Sequence, residues 1–225
     1  MYKILSVSRD TKTIKGEKYG YLTGILYMSP DRSLCPCCTE GCRKSCLFTA
    51  GHGAMKTVQL ARMKRNGLWY NHRELFKQYL IEDIERLNKE AGKKGLKPCV
   101  RINGTSDIDV QKEFGDVLDR FPAVMFYDYT KCWGRYSHKA NYYLVYSYSE
   151  RRTKKDVDLK LEEGYNVAVV FDKVPETWEG RTVVNGDDSD LRFLDPAGVI
   201  VGLTAKGKAR KDDTGFVVRV GGAST

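Results

Sequence analysis

Hydrophobic positions along the chain follow two different patterns. Over residues 72–91 they recur at three- and four-residue steps: Phe76, Leu80, Ile84, Leu87 and Ala91 share one side, with Lys77, Glu82 and Lys89 elsewhere. That period predicts an amphipathic helix, and Gly92 and Gly95 supply its stop. A shorter helical stretch is predicted near 54–64. Elsewhere the apolar residues form short, near-continuous runs at 21–28, 99–102, 124–127, 143–146, 167–171, 183–184 and 199–203. Runs of this kind read as strands buried on both faces, as in a parallel sheet covered by helices. Segments 110–121, with Phe114, Val117, Leu118 and Phe121 on one side, and 157–161 fit as crossover helices between strands.

Seven strands in this rhythm predict a single α/β domain over residues 1–225, its parallel sheet closing as a complete or partial TIM-like barrel. The last strands are closely spaced, leaving little room for full crossover helices. No repeat, low-complexity tract or linker divides the chain. Parallel barrels carry their sites at the C-terminal ends of the strands, so the residues after each run are the first candidates.

Composition narrows the class. Aromatics make up 11% of the chain, with 14 tyrosines, which is ample for a core and argues against disorder. No apolar run approaches the roughly 20 residues that span a bilayer, and Arg9 interrupts the start before a signal-peptide core can form. A soluble intracellular protein is the expectation. The net charge of +9 raises nucleic acid as a partner. Its sources are scattered, however: Lys93, Lys94 and Lys97; Arg151, Arg152, Lys154 and Lys155; and the run 206–211. No motif of a common nucleic-acid module accompanies them, so solvated surface accounts for most of this charge.

Five of the seven cysteines fall within residues 35–46, which form a cysteine-rich segment at 30–53. The spacing Cys35-x2-Cys38-x3-Cys42-x3-Cys46 lets a compact loop present four thiolates to one centre. Cys37 and Cys38 are adjacent and would rarely both reach it, so one is a spectator. Zinc favours two close pairs separated by a longer loop. A cubane iron–sulfur cluster is often served by one tight loop. A 4Fe-4S cluster on Cys35, Cys38, Cys42 and Cys46 is therefore expected, with zinc the alternative. Arg43 and Lys44 stand beside the sulfurs, where they could offset thiolate or cluster charge. Cys99 lies in a predicted strand and reads as buried; Cys132, in a polar loop, reads as a free thiol.

The strand ends are polar. Arg101 closes one run and could point into a barrel, followed by Asn103, Thr105, Ser106 and Asp107, where βα loops place ligands. Ser106 or Asp107 would equally serve to cap the helix starting near Asp109. Tyr127 to Lys131 and Tyr146 to Glu150 end the next two strands. Asp187, Asp188 and Asp190 cluster later and read as a solvated turn or as a site for a cation or polar ligand; Lys206 follows the last strand. A polar, Tyr-lined pocket is expected where these meet. Arg101, Asn103, Asp107 and Lys206 are its candidates for orienting substrate, and Thr105 and Ser106 for contacting cofactor.

The segment CPCCTEGCRKSCLFTAGHGAMKTVQLARMKRN, with the blocks RINGTSDID, FYDYTK and VNGDDSDLRFLDPAGVIVGLTAKGKA, resembles the phage gene-product-88 family and related cysteine-rich phage proteins. Cys35, Cys42 and Cys46 match the family cysteines best; the Cys37–Cys38 pair departs from the commoner spacing and leaves the fourth ligand open. The resemblance implies a phage origin and expression in the cytoplasm of the infected bacterial host, without implying a reaction. The expectation is a phage-encoded iron–sulfur protein acting on a small molecule. If only three cysteines bind, an open iron can act as a Lewis acid in hydrolase or lyase chemistry; if four bind, electron transfer or a structural role is expected. The alternatives are a zinc or iron–sulfur nucleic-acid-binding module, a protein that binds and modifies a host assembly, and a radical-enzyme-like barrel. That last class has cysteines at x3 then x2, a signature this chain lacks.

Overall fold

The computed structural model describes residues 2–7 and 11–221. In chain order the elements are β1 (Leu5–Val7), α1 (Thr11–Glu17), β2 (Tyr21–Leu26), α2 (Glu40–Lys44), α3 (Lys56–Asn71), α4 (Arg73–Lys94), β3 (Lys97–Arg101), α5 (Val110–Arg120), β4 (Met125–Thr130), β5 (Tyr142–Ser147), α6 (Lys154–Glu162), β6 (Val167–Phe171), β7 (Thr177–Trp178), β8 (Arg181–Asn185), β9 (Ile200–Thr204) and β10 (Val217–Val218). Each of the seven predicted strands is present, as are the four predicted helices.

The strands make one sheet in the order β1-β2-β3-β4-β5-β6-β9-β8-β7, with β10 pairing to β6. The run from β2 to β8 is parallel throughout. β1 on β2 and β7 on β8 are antiparallel and form the two ends of the path. The sheet is therefore open, and the expected complete TIM-like barrel does not form. The reason lies in the late chain. The interval between β6 and β8, where a closed barrel would carry a crossover helix, is spent on β7 and its hairpin through Glu179 and Gly180, both at positive φ. β6 and β8 accordingly do not pair with each other, and β9 lies between them.

Both faces of the sheet are covered, which explains the unbroken apolar runs. One face sends Leu22, Val100, Phe126, Leu144 and Val169 against the helices, where Phe76, Leu80, Ile84, Leu87 and Ala91 of α4 are all buried, none more than 1% exposed. Each such large side chain contributes about 1.5–3 kcal/mol by leaving water. The opposite face gathers Cys99, Tyr127 and Met125 under Leu191 and Phe193 of the β8–β9 connection. The Phe193 ring stands 5.0 Å from Tyr21 and 5.5 Å from Tyr127. That connection thus crosses back over β2 and β4. Cys99 is buried as expected, its sulfur 3.2 Å from the Thr23 hydroxyl. Among the described residues no helix is long and apolar enough to cross a membrane.

Candidate functional site

A cavity of about 410 Å³ opens at the C-terminal ends of the parallel strands. Ile25 and Tyr27 enter from β2, Arg101 from β3, Tyr129 to Lys131 from β4, Ser147 from β5, and Leu203 and Thr204 from β9. Cys35, Cys38, Cys42 and Cys46 all line it, and all four are free thiols. The loop after the first parallel strand and the ends of its neighbours necessarily face the same end of a parallel sheet.

The cysteine segment is held from both sides. Thr39 caps α2, its hydroxyl accepting from the Cys42 N–H at 3.2 Å and donating to Glu150 at 2.8 Å. Glu150 also accepts from the Gly41 N–H at 2.8 Å, so one carboxylate beyond β5 grips the first turn of α2. A side chain at Gly41 would meet Phe216 Cβ at 2.5 Å and the Thr214 hydroxyl closer still, so this position has to be glycine. Upstream, Asp31 accepts from the Ser33 and Leu34 N–H groups, each at 2.9 Å, and turns the chain into the cluster segment.

Residues 103–107 form the facing wall. The Gly104 N–H donates to Leu26 O at 2.9 Å, the Thr105 hydroxyl to Met28 O at 2.6 Å and the Asp107 N–H to Leu34 O at 2.7 Å. This loop is thereby tied along the cysteine segment, and the Cys35 thiol points at the Thr105 carbonyl from 4.0 Å. Gly104 has no room for a Cβ, which would lie 2.5 Å from the Tyr27 ring. Asn103 spends its side chain inside the loop: Oδ1 accepts from Ser106 and the Ile108 N–H, and Nδ2 donates to Ile108 O. Asp107 accepts from the Thr130 hydroxyl, the Lys131 N–H and Arg135. Helix α5 is capped by Asp109, not by Ser106 or Asp107.

The charged groups form pairs. Arg101 reaches Asp190 at 3.1 Å and lies over the Tyr129 ring, and Tyr127 donates to the same carboxylate at 3.0 Å. Lys206 pairs with Asp187 at 2.8 Å near the mouth. Asp187 and Asp190, readable in sequence as a solvated turn, are thus part of the cavity wall. Burial pushes the Cys35 thiol up to about 12, reinforced by Asp107 and by the other three cysteines, a mutual influence that follows from their shared cavity. Burial also raises Cys46, opposed by the Phe48 backbone and by positive Lys131 and Arg62. Burial raises Asp107 against the pull of Arg135.

All four predicted ligands and Arg101, Asn103, Thr105, Ser106, Asp107 and Lys206 therefore meet at one cavity. Arg43 and Lys44 do not: both are exposed, and Lys44 pairs with Glu40 at 2.8 Å. The cations that act on the Cys46 thiol are Lys131 and Arg62, far apart in sequence, and only the fold could reveal them. Cys132 is not free. It is joined to Cys37 by a disulfide across 95 residues, which ties the cysteine segment to the end of β4. Cys37 is the member of the Cys37–Cys38 pair that turns away. Among the described residues no three His, Cys, Asp or Glu side chains are gathered closely enough to hold a metal ion.

Neither the curated proteins nor the solved structures provide a match to this chain. The model of one family, gene product 88, matches residues 4–220, which takes in every strand and the whole cavity wall. With nearly its full length inside that match, the chain belongs to the gene product 88 family, a family of phage type.

Proposed function

We propose that this phage protein holds an iron–sulfur cluster of 4Fe-4S type on Cys35, Cys38, Cys42 and Cys46, and that the cavity beside it receives a small-molecule substrate. The observation that carries this reading is the convergence of four free thiols from one short segment on a single strand-end cavity. Thiolate-rich, single-loop donor sets suit such clusters. In this reading the open sheet works as a partial barrel, presenting its loops to one chamber in the cytoplasm of the infected host. With all four cysteines bound such a cluster would serve electron transfer or structure; with only three bound, the open iron would supply a Lewis acid for a carbonyl or a water, which is hydrolase or lyase chemistry. The protein's own contribution is positional. Asn103 and Asp107 hold the loop wall, whereas Arg101, whose Nε has no acceptor among the described residues, keeps a donor for the ligand. Lys206 stands at the mouth beside Asp187.

Anaerobic purification with iron and sulfide analysis tests this. A brown protein with about four iron and four acid-labile sulfide per chain is expected, and Cys42→Ser should lose both. A colourless protein with stoichiometric zinc would refute the cluster. A second reading, a metal-containing nucleic-acid module, draws on the exposed Lys208, Arg210 and Lys211, in a turn whose Gly207 lies against Ala50 of the cysteine segment. DNA affinity falling steeply with salt would favour it.

A further inference from the structure

One lysine of the cavity wall forms no ion pair among the described residues, although its charge acts on Asp107. Arg101 is paired to Asp190, Lys206 to Asp187 and Arg135 to Asp107. Lys131, between the thiol wall and the end of β5, forms no ion pair among the described residues. Its ammonium group donates to the Ser147 hydroxyl at 2.6 Å and lies 5.3 Å from the centre of the Phe216 ring. The nearby Asp107 is occupied by the Lys131 N–H, Thr130 and Arg135. Ser147 accepts from Lys131, which leaves its own O–H without an acceptor among the described residues.

The pair therefore offers the cavity one positive charge and two directed donors, N–H and O–H. That matches a carboxylate, with one charge and two oxygens. A phosphate calls for more charge and commonly a nest of backbone N–H groups. Here the adjacent backbone donors are already used: Lys131 N–H by Asp107 and Thr204 N–H by Asp187. Beyond the pair the wall turns apolar, with Val170, Leu203 and Phe216. We infer that Lys131 and Ser147 form the subsite for the carboxylate of a small organic monoacid whose apolar body lies against Val170, Leu203 and Phe216. This deepens the proposed function, resting on the cavity as a small-molecule site but not on the cluster itself.

The test is ligand-observed NMR titration of the anaerobically purified full chain with isovalerate, 4-methylvalerate and benzoate, each beside its neutral amide, and with inorganic phosphate. At least one carboxylate should bind. Its amide, and the acid with Lys131→Met, should bind about 10- to 100-fold more weakly, as for loss of a charged hydrogen bond. Ser147→Ala should weaken the same acid by a smaller factor. Thermal melts should match the wild type in both variants, and the iron content of Ser147→Ala should match it too. The inference is overturned if no acid in the panel binds, if acid and amide bind alike, or if phosphate binds more tightly than every carboxylate. It also falls if Lys131→Met loses iron but keeps carboxylate affinity, since Lys131 then serves the thiols. Lys131-dependent carboxylate binding by a protein without iron would leave this inference standing and remove the cluster. A full cluster with no carboxylate binding would do the reverse.

Discussion

Asp128 offers a test of how the loop wall is supported. It lies in β4 with no exposed surface. Its Oδ1 accepts the Asn103 N–H at 2.6 Å, fixing the start of the loop, while Oδ2 has no hydrogen-bond partner among the described residues. Burial pushes this carboxyl up to about 8, only partly opposed by the Asn103 N–H and Arg101. In the unfolded chain it returns to the ordinary value near 3.9. Between those values the folded protein holds one proton more than the unfolded one, so stability falls as pH rises. The contribution is fully present below the unfolded value and is lost by the folded one. The slope is about 1.4 kcal/mol per pH unit, or about 3 kcal/mol between pH 5 and 7.5 once both titration curves are included. Asp128→Asn copies the protonated acid in shape and keeps the Oδ1 acceptor but cannot titrate. Urea unfolding of both proteins across this range, at constant salt and cluster content, should show the Asp128→Asn variant gaining about 3 kcal/mol on the wild type. A difference that stays constant with pH would refute the buried, protonated carboxyl.

Two further predictions concern the cysteine segment. Gly41→Ala drives a methyl group toward Phe216 and Thr214 and should cost about 1–3 kcal/mol, as for other overpacking changes. It should also lower iron retention, because the turn carrying Cys42 must move; a variant with unchanged urea midpoint and iron would show that α2 can shift freely. Removing the Cys37–Cys132 bridge with the double serine variant should cost about 2–4 kcal/mol, read by urea unfolding with and without reductant. The double variant should still keep its iron, and losing it would bring Cys37 into the ligand set.

The parts of this protein that are legible in the sequence are those where a single local period carries the message. The apolar run at residues 167–171 predicts a strand and β6 occupies those residues, and the face of α4 named from its spacing is the buried one. Closure of the barrel is not legible, because it depends on β7 and β1, of only two and three residues, too short to show any period. The site divides the same way. The four thiols share one segment, and they line one cavity. Arg43 and Lys44 are suggested by adjacency, yet residues next to a cysteine in a short helix point away from it, and the cations that act on Cys46 come from α3 and the end of β4. Asn103 and Asp107 carry polar side chains at a strand end, as ligand-binding residues do. In this fold they are consumed by the hydrogen bonds that shape the loop. A polar residue after a parallel strand thus identifies the wall of the site more reliably than the group that meets the ligand. In this cavity Lys131 and Ser147, neighbours across two strands and sixteen residues apart in the chain, are not spent on the loop in that way.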